Sequence, residues 1–509
     1  MKRTTKTPRA KSAHLAGLKS EGDINLSPNR KAWAAAQINA ETRQWLEQDA
    51  RYFLHQSLST PCLNVLKSCA GATISDLQGR ELLDFHGNSV HQVGFGNPKV
   101  MEAIIKQLRD LPFCPRRYTN LPTIKLARKL VELAPGDLNR VLFAPGGAEA
   151  IGMALKLARA ATGRHKTISM WDSFHGASLD AISVGGEAVF RRDSGPLLPG
   201  CEHVPPPDPW HCPWECRGSC TLKCADYIGY VLEKEGDVAA VIGETVRNIP
   251  LIPPADYWRK VRAACDKHGA LLILDEIPSG LGRTGRMFAC EHYGIVPDML
   301  VIGKALGGGI MPLAALLARD QLNVAGDRAI GHYTHEKSPV AAAAALATIE
   351  FIESEKLLAK TREMSAFALG ELEAMKQRHS IIGDVRGLGL ILGVELVRNR
   401  ATMERDSDAA DQVMYEALSR GLSFKVAMGN ILLLAPALTI TREEMGRALR
   451  VIEDSIVAVV GRRRRSKTPN NDGGERRGHV SSRGRRVQVA SPKRRKEYSP
   501  GQRPGNETK

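Results

Sequence analysis

The sequence predicts an α/β protein built on a mostly parallel sheet. Three observations lead there. Short apolar runs alternate with helical patterns through the middle of the chain, the sequence form of a strand–helix–strand fold. The composition, 43% hydrophobic and 25% charged over 509 residues, is that of an ordinary globular chain. The longest apolar runs, such as Ala270–Leu274 and Ile431–Ala435, fall far short of the roughly 20 residues a membrane helix needs. Wholly disordered, fibrous and membrane-embedded readings are set aside on these grounds.

Each element has its own warrant. Ser27–Gln56 carries helical periodicity, with Trp33, Ile38, Trp45 and Leu54 as its larger apolar residues. Ala72–Phe85 alternates like strands around a turn at Asp76–Gly79, which predicts a hairpin. Strands are expected at Arg140–Phe143, Thr167–Met170, Val238–Gly243, Leu271–Leu274, Met299–Ile302 and Ala314–Leu317. Helical patterns lie between most of them, for example Ala148–Ala161 and Asp256–His268. Ser338–Met375 reads as a long helical region. A smaller α/β unit follows, with strands at Gly387–Leu396 and Ile431–Leu434 and helices at Asp408–Arg420 and Arg442–Val459. From Gly461 to Lys509 there is almost no aliphatic cluster, so a disordered basic tail is expected.

The net charge of +16 sits at the two ends. The tail holds 16 Lys and Arg against 4 Asp and Glu, and the first 20 residues hold six basic and no acidic side chains. The body is nearly neutral, so the high isoelectric point is no argument that the body binds nucleic acid. Any such binding is expected only through the tail, on phosphate backbones. Its one aromatic, Tyr498, gives little for bases to stack on. The start, Met1–Lys19, has no apolar h-region and is not read as a secretory signal. Met1–Ser20 lacks acidic residues, as a transit peptide does, but shows no clear amphipathic face. Ten cysteines in so long a chain fit a reduced cytoplasm better than a disulfide framework. Cys212, Cys216, Cys220 and Cys224 recur at intervals of four, unlike the paired knuckles of zinc modules, so no metal is expected.

The chemistry concentrates in Leu271–Gly309. One apolar strand ends in Asp275 and Glu276, and a second ends in Gly303-Lys304 before a glycine run. In a parallel sheet such strand ends share one edge, where ligands bind. A carboxylate and an amine are thereby brought to one crevice. A lysine among apolar neighbours loses preference for its charged form and becomes a usable nucleophile. Read singly, each is no more than a charged residue ending a strand; the spacing of the whole segment is what points to a site.

This segment resembles the active-site signature of class III aminotransferases, pyridoxal-phosphate enzymes of fold type I, over roughly Ala70–Val459. The resemblance implies a large domain at 96–340 with a seven-stranded type of sheet. A small α/β domain from 22–95 and 341–460, a basic lead at 1–21 and the tail at 461–509 complete the expected organisation. It implies Lys304 as the Schiff-base lysine and Asp275 as the partner of the pyridine nitrogen. Phe143–Ala150, FAPGGAEA, matches the element whose Gly147 and Ala148 hold the cofactor phosphate at a helix start, although Gly146 stands where the family usually has Ser. Ser173–Gly176, SFHG, implies Phe174 stacking on the cofactor ring with His175 beside it. Glu244 takes the place of a Glu near the substrate, and Thr334 that of a Thr reaching the phosphate of the neighbouring subunit. A homodimer with shared active sites is therefore expected.

Three departures bear on the substrate, expected to be a small primary amine. Leu433, in NILLLAPA, replaces the family Arg that clamps an α-carboxylate. Glu336-Lys337-Ser338 replaces a Gly/Asn-rich turn, and Thr245-Val246-Arg247 follows Glu244. Lys425, Arg247 and Lys337 are the candidate anion binders, and they fit a compact, multiply charged group such as a phosphonate. The lost Arg and the HYTHEK stretch resemble the family's ammonia-lyases acting on hydroxy-aminoalkylphosphonates, which need no 2-oxo acid. An ω-amine transaminase is the second reading, and a nucleic-acid-binding protein acting through its tail is the third.

Overall fold

The computed structural model describes residues 26–467. The expected lead (1–21) and most of the expected tail lie outside these residues. The described residues up to Arg463 form one compact unit.

Chain entry builds a small sheet: β1 (Leu66–Ala70), β2 (Thr73–Asp76) and β3 (Glu81–Asp84). The expected hairpin is its β2–β3 part, and β1 adds an exposed outer strand that the sequence reading did not contain. The main sheet follows, with β4 (Leu138–Ala144), β5 (Lys166–Met170), β6 (Cys201–Val204), β7 (Val238–Glu244), β8 (Leu271–Asp275), β9 (Met299–Ile302) and β10 (Ala314–Arg319). Its order is β4-β10-β9-β8-β7-β5-β6, with β10 antiparallel to both neighbours and all other pairs parallel. All six strands read from the sequence are present. The seventh, β6, was missed because CEHV has no apolar run to mark it.

Burial on both faces explains the near-continuous apolar strands. Leu300 and Ile302 pack into one core cluster, and Met299 and Val301 into the other. Leu272 and Leu274 likewise oppose Ile273. The helix Gly147–Thr162 covers the second face with Ile151, Met153, Ala154 and Leu157. By the same period of two, Asp275 at the end of β8 emerges on the face of Ile273, under that helix.

The C-terminal part has β11 (Ile382–Leu388), β12 (Ile391–Asn399), β13 (Glu404–Arg405), β14 (Leu422–Ser423), β15 (Lys425–Ala427) and β16 (Ile431–Leu434). β14 pairs with β3, so early and late segments share one small sheet. β11-β12-β16-β15 form another, with β13 on β12. The strand expected at Gly387–Leu396 is two strands joined at Gly389, whose φ is +58. A Cβ there would lie 2.4 Å from the Arg283 carbonyl oxygen, so the turn needs glycine for space as well as conformation.

Two helical expectations also divide. Ser27–Gln56 becomes Pro28–Gln37 and Ala40–Tyr52, because Asn39 caps the second helix through Thr42 N at 2.8 Å. Ser338–Met375 becomes Pro339–Ser354 and Leu357–Arg378, broken at Lys356 in the left-handed region. The last helix, Arg442–Lys467, runs past the expected start of the tail. Arg462 pairs with Glu416, and Arg463 with Asp406 and Asp408, so the first basic run begins on an ordered helix. No helix among the described residues is long and apolar enough to cross a membrane.

Candidate active site

Three adjacent strands end at one cavity. In register, Glu244 of β7 sits opposite Asp275 of β8, and Asp275 opposite Val301 of β9, three residues before Lys304. Lys304 adopts φ +43, a left-handed conformation costly for a side chain with a Cβ and common where function demands it. The cavity of about 850 Å³ is lined by Lys304, Asp275, Glu244, Gly147, Ala148, Phe174 and His175. Asp275 and Lys304 thus meet as their spacing led one to expect, and the residues implied by the resemblance, as far apart as Gly147 and Lys304, join them.

The electrostatics follow from burial. Desolvation lowers the Lys304 amine below its ordinary value, with the charges of Asp275 and Glu244 pulling the other way. His175 Nδ1 lies 2.8 Å from Asp275 Oδ2, and Ile277 N donates to Asp275 Oδ1 at 3.0 Å. His175 Nε2 is buried with no hydrogen-bond partner among the described residues. Burial raises the Glu244 carboxyl, opposed by Arg247 and His175. The start of helix Gly147–Thr162 has no side-chain cap from Gly146, so its first backbone N–H groups face the cavity end uncapped by a side chain.

These observations fit pyridoxal phosphate. A buried amine of lowered basicity suits a bond to an aldehyde. A carboxylate oriented by a histidine suits a ring nitrogen, and an uncapped helix start suits a phosphate. Gly147 also allows close packing, since a Cβ there would come within 2.8 Å of Ile277 Cδ1. Phe174 lines the same space and packs on Phe190 at 4.6 Å between ring centroids.

The expected substrate residues divide. Lys425 and Leu433 both line the cavity and are cross-strand partners on β15 and β16. Burial lowers the Lys425 amine to about 8. Arg247 also lines the cavity, but its guanidinium is taken. It pairs with Glu187, and its Nε donates to Glu244 Oε2 at 3.1 Å. One cation shared between two buried carboxyl groups leaves no net positive charge for a substrate anion. Lys337 is outside this cavity: its side chain is exposed, and its carbonyl accepts from Asn120 at 3.1 Å. Glu336 is likewise tied locally, to Arg116 and to Tyr333 N. The charged turn therefore adds nothing to the cavity of its own chain. Thr334 is exposed and also outside it.

Three lining residues were missed. Arg30 comes from helix Pro28–Gln37, where Ser27 and Asn29 both bond Asp411 and Trp33 meets Tyr415. Its Nη2 donates to the Pro61 carbonyl at 2.8 Å. His86 is lowered to about 4 by burial and by Lys304. Glu187 lies in a loop with no periodic signal. Only Glu187, a lone charge in VGGEAVF, carries a local signal; Arg30 in SPNRKAW and His86 in LDFHGNS sit among polar neighbours.

The cysteine cluster stands apart from this cavity. Cys212 and Cys216 are 3.5 Å apart at sulfur, and all ten cysteines are free. No cluster of three or more metal-ligating side chains is found among the described residues.

Comparison with known proteins agrees with this geometry. The class-III aminotransferase family model matches residues 55–456. The (R)-1-hydroxy-2-aminoethylphosphonate ammonia-lyase of Vibrio splendidus is 47% identical over 475 residues, covering 90% of this chain and 98% of that protein. The leucine/methionine racemase of Thermococcus litoralis is 36% identical, covering 81% of this chain and 95% of that protein. A solved Bacillus anthracis aminotransferase superposes with a TM-score of 0.76 at 29% identity, covering 83% of this chain and all (100%) of that one. An (S)-enantioselective omega-transaminase from Thermomicrobium roseum gives a TM-score of 0.77 at 28% identity, with 83% and 100% covered. The chain belongs to the class III aminotransferase family and is a pyridoxal-phosphate-dependent enzyme.

Proposed function

We propose that this enzyme is an ammonia-lyase acting on (R)-1-hydroxy-2-aminoethylphosphonate or a close relative, yielding phosphonoacetaldehyde and ammonia. The observation that carries the reading is Leu433. It is buried in the cavity wall where the family's carboxylate clamp is expected, in a chain 47% identical to such a lyase. A transaminase must bind a 2-oxo acid in its second half-reaction, and an isobutyl group cannot hold a carboxylate. An elimination has no such requirement.

In this reading Lys304 would hold the cofactor, Asp275 with His175 would serve its ring nitrogen, Gly147 and Ala148 would meet its phosphate, and Phe174 would pack on its ring. The bound cofactor supplies an electron sink for the carbanion formed beside the substrate nitrogen. Lys304 would take the proton from the carbon bearing nitrogen, and burial lowers its preference for the charged form, as suits a base. Glu244 borders the reacting centre. Lys425 and Arg30 take the phosphonate, and Arg247 organises the carboxyl groups around it. Thr334 serves the phosphate site of a neighbouring copy in a homodimer. An exposed apolar surface at Phe113, Tyr118, Leu121 and Ile124 supports that dimer, and Phe113 touches His335 next to Thr334. The free cysteines support a cytoplasmic setting.

The test is ammonia release from the cofactor-loaded protein and this substrate, with and without pyruvate. Ammonia without pyruvate is expected. Amine transfer only when pyruvate is added would replace the lyase with a transaminase.

A further inference from the structure

Elimination of a hydroxyl group poses a problem that the residues named so far leave open. Hydroxide is a poor leaving group, so the oxygen needs a proton as its bond to carbon breaks. Lys304 is occupied with the carbon-bound proton. A second acid is called for, and it has to sit in the same cavity.

Glu187 meets that need. It is 2% exposed and lines the cavity together with Lys304, Phe174 and Lys425. Its Oε1 is held by Arg247, while Oε2 is buried with no hydrogen-bond partner among the described residues. An unpaired buried carboxyl oxygen is costly unless something else meets it or a proton covers it. The loop that carries it is fixed. Gly186 N and Glu187 N donate to the Ser173 carbonyl at 2.8 and 3.2 Å, next to Phe174 and His175. A Cβ at Gly186 would lie 2.2 Å from the Met170 carbonyl oxygen, so the loop sits flush against the end of β5.

We infer that Glu187 is the general acid that protonates the departing hydroxyl group. The inference rests on the lyase reading above. Burial is the main cause that pushes its carboxyl up, to about 7, against the pull of Arg247 and aided by Glu244 and Asp172. Arg247 can compensate one of its two carboxyl neighbours, and the other keeps its proton. The remaining charged or titratable groups in the cavity wall are Lys304, Asp275, His175, His86, Lys425, Arg30 and Tyr415.

The step balances. Lys304 takes the proton from the carbon bearing nitrogen, and that electron pair forms the new carbon–carbon double bond. The neighbouring carbon–oxygen bond breaks with its pair on oxygen, which takes the Glu187 proton and leaves as water. The resulting enamine rearranges to an imine, adds water and releases ammonia and phosphonoacetaldehyde. The proton on Lys304 returns to solvent as Glu187 regains one.

The experiment uses the holoenzyme and Glu187→Gln, which keeps an oxygen for Arg247 and loses the acid. The kcat for the hydroxy substrate is expected to fall about 10²- to 10⁴-fold with KM little changed. 2-Aminoethylphosphonate has no hydroxyl group, so exchange of its nitrogen-bearing carbon's protons with D2O is expected to persist in the variant. A 1-chloro analogue, whose leaving group needs no proton, restores ammonia release. Infrared difference spectra should show a carboxylic-acid band titrating near 7 in the wild type and absent in the variant. Unchanged ammonia release by Glu187→Gln overturns the proposal alone. Equal loss of exchange and release overturns it too, since that marks a structural role. Should the Gln variant fail to fold, Glu187→Asp, with its acid one methylene farther away, is expected to slow release and spare exchange. Wild-type protein that releases no ammonia overturns the lyase reading and this inference together.

Discussion

Lys425 holds its ammonium on β15 across from Leu433, in surroundings apolar enough to lower it to about 8. Its charge is therefore conditional. Below pH 8 the amine is charged and attracts a phosphonate; as pH rises through 8 it neutralises, and affinity falls. KM for the phosphonate should climb across that interval in steady-state assays. Lys425→Met should raise KM about 10- to 100-fold at pH 7, the worth of one charge-assisted hydrogen bond. Lys425→Arg should keep a low KM above pH 8, because a guanidinium does not titrate there. A flat KM in all three proteins would remove Lys425 from the substrate site. Arg247 teaches the complementary lesson: a guanidinium in the cavity wall does no anion binding once Glu187 and Glu244 share it.

Among the elements, helix Pro28–Gln37 lies ahead of the residues that the family model matches, yet it delivers Arg30 to the cavity. Its apolar anchors are Trp33 and Ile38, which pack with Tyr415. Trp45 and Leu54, equally apolar in the sequence, are 52% and 93% exposed. Periodicity identified the helices but could not say which stripe has a partner. β12 is held by another unforeseen device. Glu395 is fully buried and meets His211 at 2.7 Å, Arg386 at 2.7 Å and Asn430 at 3.1 Å. Burial alone would raise its carboxyl; His211 and Arg386 overcome that and hold it at about 2. Its folded value lies below its ordinary 4.5, so its contribution is complete above 4.5 and is lost as pH falls toward 2. Glu395→Gln should cost about 3 kcal/mol near neutrality and flatten that acid limb, in denaturant melts at several pH values. A variant as stable as the wild type would show that the network is incidental.

For the whole molecule, the exposed apolar surface and Thr334 bear on assembly. Leu121 is 69% exposed at the first position of helix Leu121–Leu133. Leu121→Glu places a carboxylate at a helix N-terminus, where it favours the monomer's fold, while burying it in an apolar interface is costly. Light scattering should give a dimer mass for the wild type and, at the same concentration, a monomer mass for the variant, with cofactor retained about ten-fold less well. A wild-type monomer with full cofactor retention would defeat the shared-site arrangement.

How much of this was legible in the sequence depends on the range of the interactions. Strand ends are local features. Short apolar runs mark β7, β8 and β9, and a parallel sheet brings the strand ends with Asp275 and Lys304 to one edge; Glu244 joined them through the resemblance. The helix near Ala148 was readable from its local pattern, and the role of Gly147 at its start came from the resemblance. Whether a charge is spent or available is not local. Glu187 and Arg247 are 60 residues apart, and Arg30 joins Lys425 only through the anchoring of its helix. Lys337 looked like a pocket residue by its neighbours in sequence and lies outside the cavity in space. The sequence by itself determined the α/β architecture and the residues at the strand ends, because periodicity and strand termination are properties of contiguous residues; the cofactor followed from the resemblance of Leu271–Gly309 to the family signature. Only the tertiary structure decided which cations line the cavity and which of them is tied to buried carboxyl groups, because ion pairing and desolvation depend on residues that the chain brings together from far apart.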